Sequence, residues 1–546
     1  MSRAFPVIGD ALRSFPAINS TSMKSSPPLI PQKSSVVLAS LAALFLAGCQ
    51  TYQQQSGNMT QASRMGGVAS AVATVDKKAE SAKGSKDEII WRLEQGAVLR
   101  NAALADVSQV APPPPPPASP VAEGETPAPA AAPTPEEVHA YYFKRSLEAF
   151  DLAEERVNRY EEEAKVKVGS EIGAALTNQA SLPYRGRAYD KVMLNTYKAL
   201  NQLALGQRDA VRLELNRSLQ RQRDAVAENE KRIAEAQEIA AKAKTGEAKT
   251  DDGKNAAYDS DKALADPKTG PALQAALESS IAPMKPYGDY VNPFAVFLDG
   301  LFFSTLGENG SDWERGRHSF ERVASIVSDN PYLRDDLAMA AAVAEGQSPE
   351  GLTYVIFETG TAPARGQVRV DIPTFLVTSK LAYVGAAFPK LEFNNDYIST
   401  LGVGCGGQTF TTATIASMDS IVANDFKNEW PSIVTKTMIT TATKAIVQAA
   451  AQKVVEDRAG ALWGFAAGLA AGALNAATNI ADTRTWTTLP KEFQYARILT
   501  PADRQLTLTA GTATQTIELI PGSVNVVYVK SASSSAPLYV SQFALK

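Results

Sequence analysis

Between Tyr189 and Ala240 two apolar stripes at helical spacing flank a single glycine, and no other stretch constrains the fold as tightly. Tyr189, Met193, Tyr197, Leu200 and Ala204 recur every three or four residues, so they line one face of a helix. Gly206 supplies the left-handed turn that ends it. A second helix starts near Asp209 and Ala210 and runs through Leu213, Leu215 and Leu219. The result is a helical hairpin with one apolar side that must be covered by something. Past Ala210, Leu215, Leu219, Gln222, Val226, Asn229, Ile233, Ala236 and Ala240 alternate four and three apart, which is heptad spacing. At about 1.5 Å per residue that helix projects roughly 50 Å. Two readings stay open: a lever or coiled-coil contact, and the simpler one, a long hairpin packed on its own chain, for instance on residues 272–281.

Helical hairpins of this kind are the unit of tetratricopeptide-like arrays. The spacing recurs elsewhere. A first helix is expected over 86–106, with Ile89, Ile90, Leu93 and Leu99 apolar. A hexaproline, Pro112–Pro117, and further Pro-Ala repeats then interrupt the chain across 110–135, which reads as a solvated polyproline-type insertion. Helix resumes at Glu136, and Ser146, Phe150 and Ala153 fall at the small–aromatic–small spacing of a repeat's second helix. Asn292-Pro293 opens another hairpin, with Gly300, Phe303 and Gly307 in one helix and Gly316, Phe320 and Val323 in the next. Tyr189, Tyr197, Phe303 and Phe320 are therefore the candidates for holding a partner on a concave helical surface. Trp313 and His318 lie on the same unit and read as packing or surface residues.

The chain has 546 residues, enough for two or three domains. Its formal net charge of -4 gives no support to nucleic-acid binding. Two histidines, His139 and His318, and two cysteines, Cys49 and Cys405, fall short of a convincing Cys/His zinc site. No metal and no cofactor is expected.

Val36–Ala47 is an apolar run of signal-peptide length, with Lys24 and Lys33 before it. It ends in Leu46-Ala47-Gly48-Cys49, which resembles the lipobox of bacterial lipoproteins, where the cysteine sulfur accepts diacylglycerol. Met23-Lys24 also resembles a start, which would make residues 1–22 an extension or a long n-region. In that family pattern an aspartate after the cysteine retains the protein at the inner membrane. Gln50 stands there, so the resemblance implies a bacterial outer-membrane anchor facing the periplasm. Residues 49–85, rich in Gln, Ser, Ala and Gly, read as a flexible tether.

Further residues sharpen the resemblance. The lipobox, Tyr189-Asp190, Leu200, Leu203-Ala204-Leu205-Gly206, Asn292-Pro293-Phe294 and Asp299-Gly300 are similar to an uncharacterised family of tetratricopeptide-like bacterial envelope lipoproteins. Ala481-Asp482-Thr483-Arg484-Thr485-Trp486, with Leu489-Pro490 and Gln494, resembles that family's C-terminal signature. The resemblance implies a scaffold or regulator that binds envelope proteins or peptides and carries no enzymatic activity. The proline insertion and the enlarged region after Gly402 depart from the pattern.

In the second half, 352–358, 368–372, 381–388, 493–498, 505–510, 514–520 and 525–530 read as strands of an antiparallel sheet. Gly402–Gly407 matches GxGxxG in form only, because a threonine-rich run follows where a dinucleotide site needs a helix. Helices are expected at 417–426 and 432–457. Gly460, Gly464, Gly468 and Gly472 then stand four apart, a glycine-zipper face. It is read as half of a hairpin packed on the preceding helix. The alternatives are self-association or bilayer insertion. Asp482, Arg484 and Trp486 follow, as a domain-seam anchor or a ligand site. Cys405 reads as a plain thiol.

The expectation is thus an α+β chain. It has a leader over 1–48, a tether over 49–85, a helical-repeat domain over 86–346 and a mixed domain over 347–546 with a helical insertion at 417–481. Its role is a non-enzymatic scaffold, and the alternative is a self-assembling homo-oligomeric envelope component, associated with secretion or a pore. No paired carboxylates, Ser-His or Cys-His arrangement or phosphate loop stands out, so no catalytic residue is assigned.

Overall fold

The structure is a computed structural model. It describes residues 52–115, 132–166, 179–249, 255–282, 287, 290–378, 382–459 and 480–546. The leader, Cys49, most of the proline insertion and Gly460–Gly472 lie outside the described residues.

The stretch expected to be a tether is helical. Helices α1 (Tyr52–Arg64) and α2 (Val68–Ala82) bury Tyr52, Met59, Val68, Ala71, Val75 and Ala79 in the main core. Polar composition masked a seam of small apolar residues at helical spacing. Helix α3 (Glu88–Leu104) pairs with α4 (Pro135–Val166) across the proline segment. Gly96 permits their close approach, since a Cβ there would sit 2.4 Å from the Phe150 ring.

The organising hairpin is α5 (Ala188–Ala204) and α6 (Arg208–Thr245), with Gly206 at φ +70° between them. On α6 the seam positions Leu215, Gln222 and Ala236 are buried, together with Val211, Glu214, Ser218, Ala225, Ile239 and Ala243, while Val226 is exposed, so the buried face is broader than the expected seam and leaves out Val226. The helix runs along another long helix of the same chain instead of the 272–281 segment, which forms α7 (Thr269–Ile281). Helix α8 (Pro293–Leu306) is capped by Asn292, whose side chain accepts from Phe294 N and Ala295 N. Helices α9 (Gly310–Ile326) and α10 (Leu333–Ala344) follow.

Besides a short antiparallel pair of Ala248–Lys249 with Asn255–Ala256, the strands are β1 (Leu352–Thr359), β2 (Ala364–Pro373), β3 (Tyr383–Glu392), β4 (Gly402–Cys405), β5 (Gln408–Thr411) and β6 (Ala413–Ser417). After helix α11 (Met418–Ala459) come β7 (Glu492–Leu499), β8 (Gln505–Ala510), β9 (Ala513–Glu518), β10 (Val524–Ser531) and β11 (Tyr539–Ala544). The main sheet runs β11-β10-β1-β7-β6, a second runs β9-β8-β4-β5, and β2 pairs with β3 alone. Most neighbours are antiparallel, but β10 lies parallel to β1, a departure from the all-antiparallel expectation. A parallel neighbour needs a long crossover, and the chain between 359 and 524 provides it. Gly402–Gly407 is strand and turn, with Gly406 and Gly407 both at positive φ in the β4–β5 hairpin. Helix α11 is one continuous helix through Pro431, where two were expected. Losing a single backbone donor is outweighed by burial of Phe426, Trp430, Ile433, Val434 and Met438 on either side.

Strand β1 is buried at all eight positions. Tyr354 and Ile356 face the helices, while Val355 and Phe357 face Leu506, Leu508 and Val403 of the second sheet. The layers are therefore helices, main sheet, second sheet. Gln50–Lys546 forms one compact unit, with no division at 346/347.

Candidate binding cleft

The proposed partner-holding aromatics are not on a surface. Tyr189 is 3% exposed and Tyr197, Phe303 and Phe320 are fully buried, so as partner contacts they are corrected. The main sheet covers the face a repeat array leaves open: Phe294 stacks on Phe493 at 3.9 Å between ring centroids and Phe297 meets Tyr495 at 4.5 Å. Tyr197 donates to Glu358 on β1 (2.8 Å), which also accepts from Tyr528 and Lys530. These aromatics fasten helices to sheet.

The Asp482–Trp486 stretch crosses the same junction. Trp486 packs on Phe150 and Tyr197. Arg484 reaches Asp482 (2.8 Å), Asp87 (3.0 Å) and the carbonyls of Leu182 (2.8 Å) and Gln179 (3.0 Å). Next to it opens a cleft of about 640 Å³, walled by α4, α5, α6, α11, residues 182–187 and Asp482–Arg484.

The cleft is built from charges fixed by one another. At the start of α5, Asp190 accepts from the backbone N–H of Arg187 and from Tyr184 in a capping arrangement. Burial pushes the Asp190 carboxyl up to about 6. Arg187 then points its guanidinium at Glu429 of α11 (2.5 Å), and Arg365 of β2 binds the same oxygen (2.9 Å). Burial opposes ionisation of Glu429, but Arg187, Arg365 and Arg232 reverse this and hold it well below the usual carboxylate range. Lys191 bridges Glu161 (2.8 Å) and Glu228 (2.9 Å), and Arg221 also binds Glu161 (2.8 Å). Behind this wall Asp425 is 2% exposed and neither of its carboxylate oxygens is hydrogen-bonded. Its closest cation is Arg365 at 4.0 Å, and burial raises its carboxyl.

Sequence reading found Asp482 and Arg484 but missed Arg187, Arg232, Arg365, Glu429 and Lys436. These come from four separate stretches, and no spacing rule links them.

Among the described residues no group of three His, Cys, Asp or Glu is placed to hold a metal ion. No helix among them is long and apolar enough to cross a membrane. Cys405 sits on β4 with its thiol pushed up by burial and Asp503. His318 is exposed, and His139 Nδ1 lies 2.7 Å from the Ala103 carbonyl. No family model, curated protein or solved structure matches the chain.

Proposed function

We propose that this is a lipid-anchored envelope protein, of the tetratricopeptide-like lipoprotein kind its motifs resemble, that works by binding and not by turnover. The observation that carries the binding role is the cleft: a recess of about 640 Å³ most of whose wall charges are held in mutual ion pairs. Such a wall suits recognition of a polar ligand, because its groups are oriented before the ligand arrives. The binding surface is thus this cleft and not the apolar faces of the hairpins, and the ligand is an envelope protein or peptide.

The anchor is Cys49, placed by the lipobox at the periplasmic face of the outer membrane. Only Gln50 and Thr51 separate it from Tyr52, whose hydroxyl donates to buried Glu94 (2.7 Å).

Two measurements test this reading. Cys49→Ser should release the protein from membranes on fractionation; unchanged membrane association would remove the anchor. A photo-cross-linking residue at Ala227, exposed on the cleft wall, should trap a defined partner, while one at exposed Ala513 on β9 should not. Equal products from both positions would remove the cleft as the binding surface.

A further inference from the structure

The carboxylates that pair across the cleft are matched: Glu161 and Glu228 by Lys191, Glu429 by Arg187 and Arg365, Asp482 by Arg484. Two cations make no such direct pair, although on Arg232 burial, which opposes the charge, is outweighed by Glu429 and Asp425, which push its guanidinium above its usual range. Arg232 on α6 and Lys436 on α11 line the recess, both part-buried, and neither makes a hydrogen bond or an ion pair with any described residue. Each has lost part of its water without gaining a bonded partner, which is costly in proportion to the burial. Here each also repels the other, since they approach across the cleft from facing helices. Burial pushes the Lys436 ammonium below the usual lysine range; Glu235 and Glu429 oppose this, and Arg232 and Arg185 add to it. Ser432, one turn before Lys436 on α11, lines the same recess and offers a neutral hydroxyl donor.

We infer that Lys436 and Arg232 together grip one oxyanion, a carboxylate or a phosphate, on the ligand of this cleft. A shared anion relieves the repulsion between the two cations and supplies each with the bonded partner that the protein withholds. An oxyanion occupies only a small part of about 640 Å³, so it is the charged group of a larger ligand whose remainder lies against Tyr160, Leu182, Pro183 and Ala227. The inference rests on the reading of the cleft as the binding surface.

The test is calorimetric titration of the full chain with inorganic phosphate and, separately, with succinate. One of them should bind, and which one does names the source as phosphate or carboxylate. Loss of a hydrogen bond to a charged group lowers affinity by about tenfold or more, so K436Q and R232Q should each weaken binding by about that factor. K231Q, at an exposed cation on the rim, should change it less than about twofold. A readout in the unsubstituted protein covers the case where a variant fails to fold: the bound anion should protect Lys436, and not Lys231, from reductive methylation followed by mass spectrometry. Binding of neither anion, or binding equally strong in all three variants with Lys436 unprotected, overturns the inference. A partner trapped from Ala227 without anion binding would keep the cleft and discard the oxyanion; anion binding without a trapped partner would do the reverse.

Discussion

Glu429 accepts from Arg187 and Arg365 where water cannot replace either donor, since their side chains are 8% and 1% exposed. Removing one partner of a buried pair costs more than the pair contributes, because an uncompensated charge stays behind. Glu429→Gln should therefore lower stability by about 3 kcal/mol in denaturant titration, whereas Glu314→Gln, at an exposed position of α9, should change it by less than about 0.5 kcal/mol. Asp336 gives a pH signature. It accepts from Tyr354 and Tyr495 (2.7 Å each), with Arg497 Nε at 3.2 Å, and burial raises its carboxyl to about 6. A folded-state value above the unfolded one means that the native state holds the proton more tightly. No penalty exists below about pH 4, and the full cost of burying the charge is felt above about pH 6. Asp190 and Asp419 shift the same way, also to about 6. Asp336→Asn should thus gain stability relative to the parent between pH 4 and pH 7, by something on the order of 3 kcal/mol. A difference that stays constant across that range would show the Asp336 carboxyl to be unshifted.

Helix pairing makes its own predictions. At Gly96 there is no room for a side chain, because Phe150 already occupies the site a Cβ would need. Gly96→Val should destabilise by about 1–3 kcal/mol, and part of that loss should return when Phe150→Leu is added. Additive losses would mean that the two residues do not meet. Helices α1 and α2 offer a sharper contrast with the sequence. A tether is cut readily by proteases, whereas helices buried in the main core are cut only when it opens. Limited proteolysis of the native protein should leave 52–82 joined to the rest; early release of that segment would restore the tether. The elements legible beforehand were those with strong periodicity or strong punctuation: the α5–α6 hairpin broken at Gly206, the Asn292-Pro293 start of α8, and the apolar run of β1. Strands β4, β5, β6 and β11 were missed, because short segments such as Gly402–Cys405 and Gln408–Thr411 carry too few apolar residues to show an alternation.

At the scale of the whole molecule, the helices and the main sheet share one core. A fragment of residues 86–346 keeps its hairpins but loses the sheet that covers Phe294, Phe297 and Tyr197. It should bind a hydrophobic dye and show poor amide dispersion; a cooperatively folded, dye-silent fragment would make the helical half an independent domain after all. Packing against the sheet also decides which surface is open: the apolar faces of the hairpins are covered, and the accessible recess lies where α4, α5, α6 and α11 come together.

The sequence by itself determined the class and the local pieces. Apolar spacing set helices and strands, one glycine set the hairpin turn, and the small-aromatic positions set how closely paired helices approach. These depend on neighbours within a few residues, so they can be read along the chain. Only the tertiary structure decided that the candidate aromatics are core, that 52–82 is docked helix, and that β10 runs parallel to β1. It alone brought Arg187, Arg232, Glu429 and Lys436 to one cleft, with Arg365 behind Glu429. The physical reason is that burial and charge pairing are properties of separations in space. An arginine at 187 and a glutamate at 429 become partners only once the fold has removed the water between them.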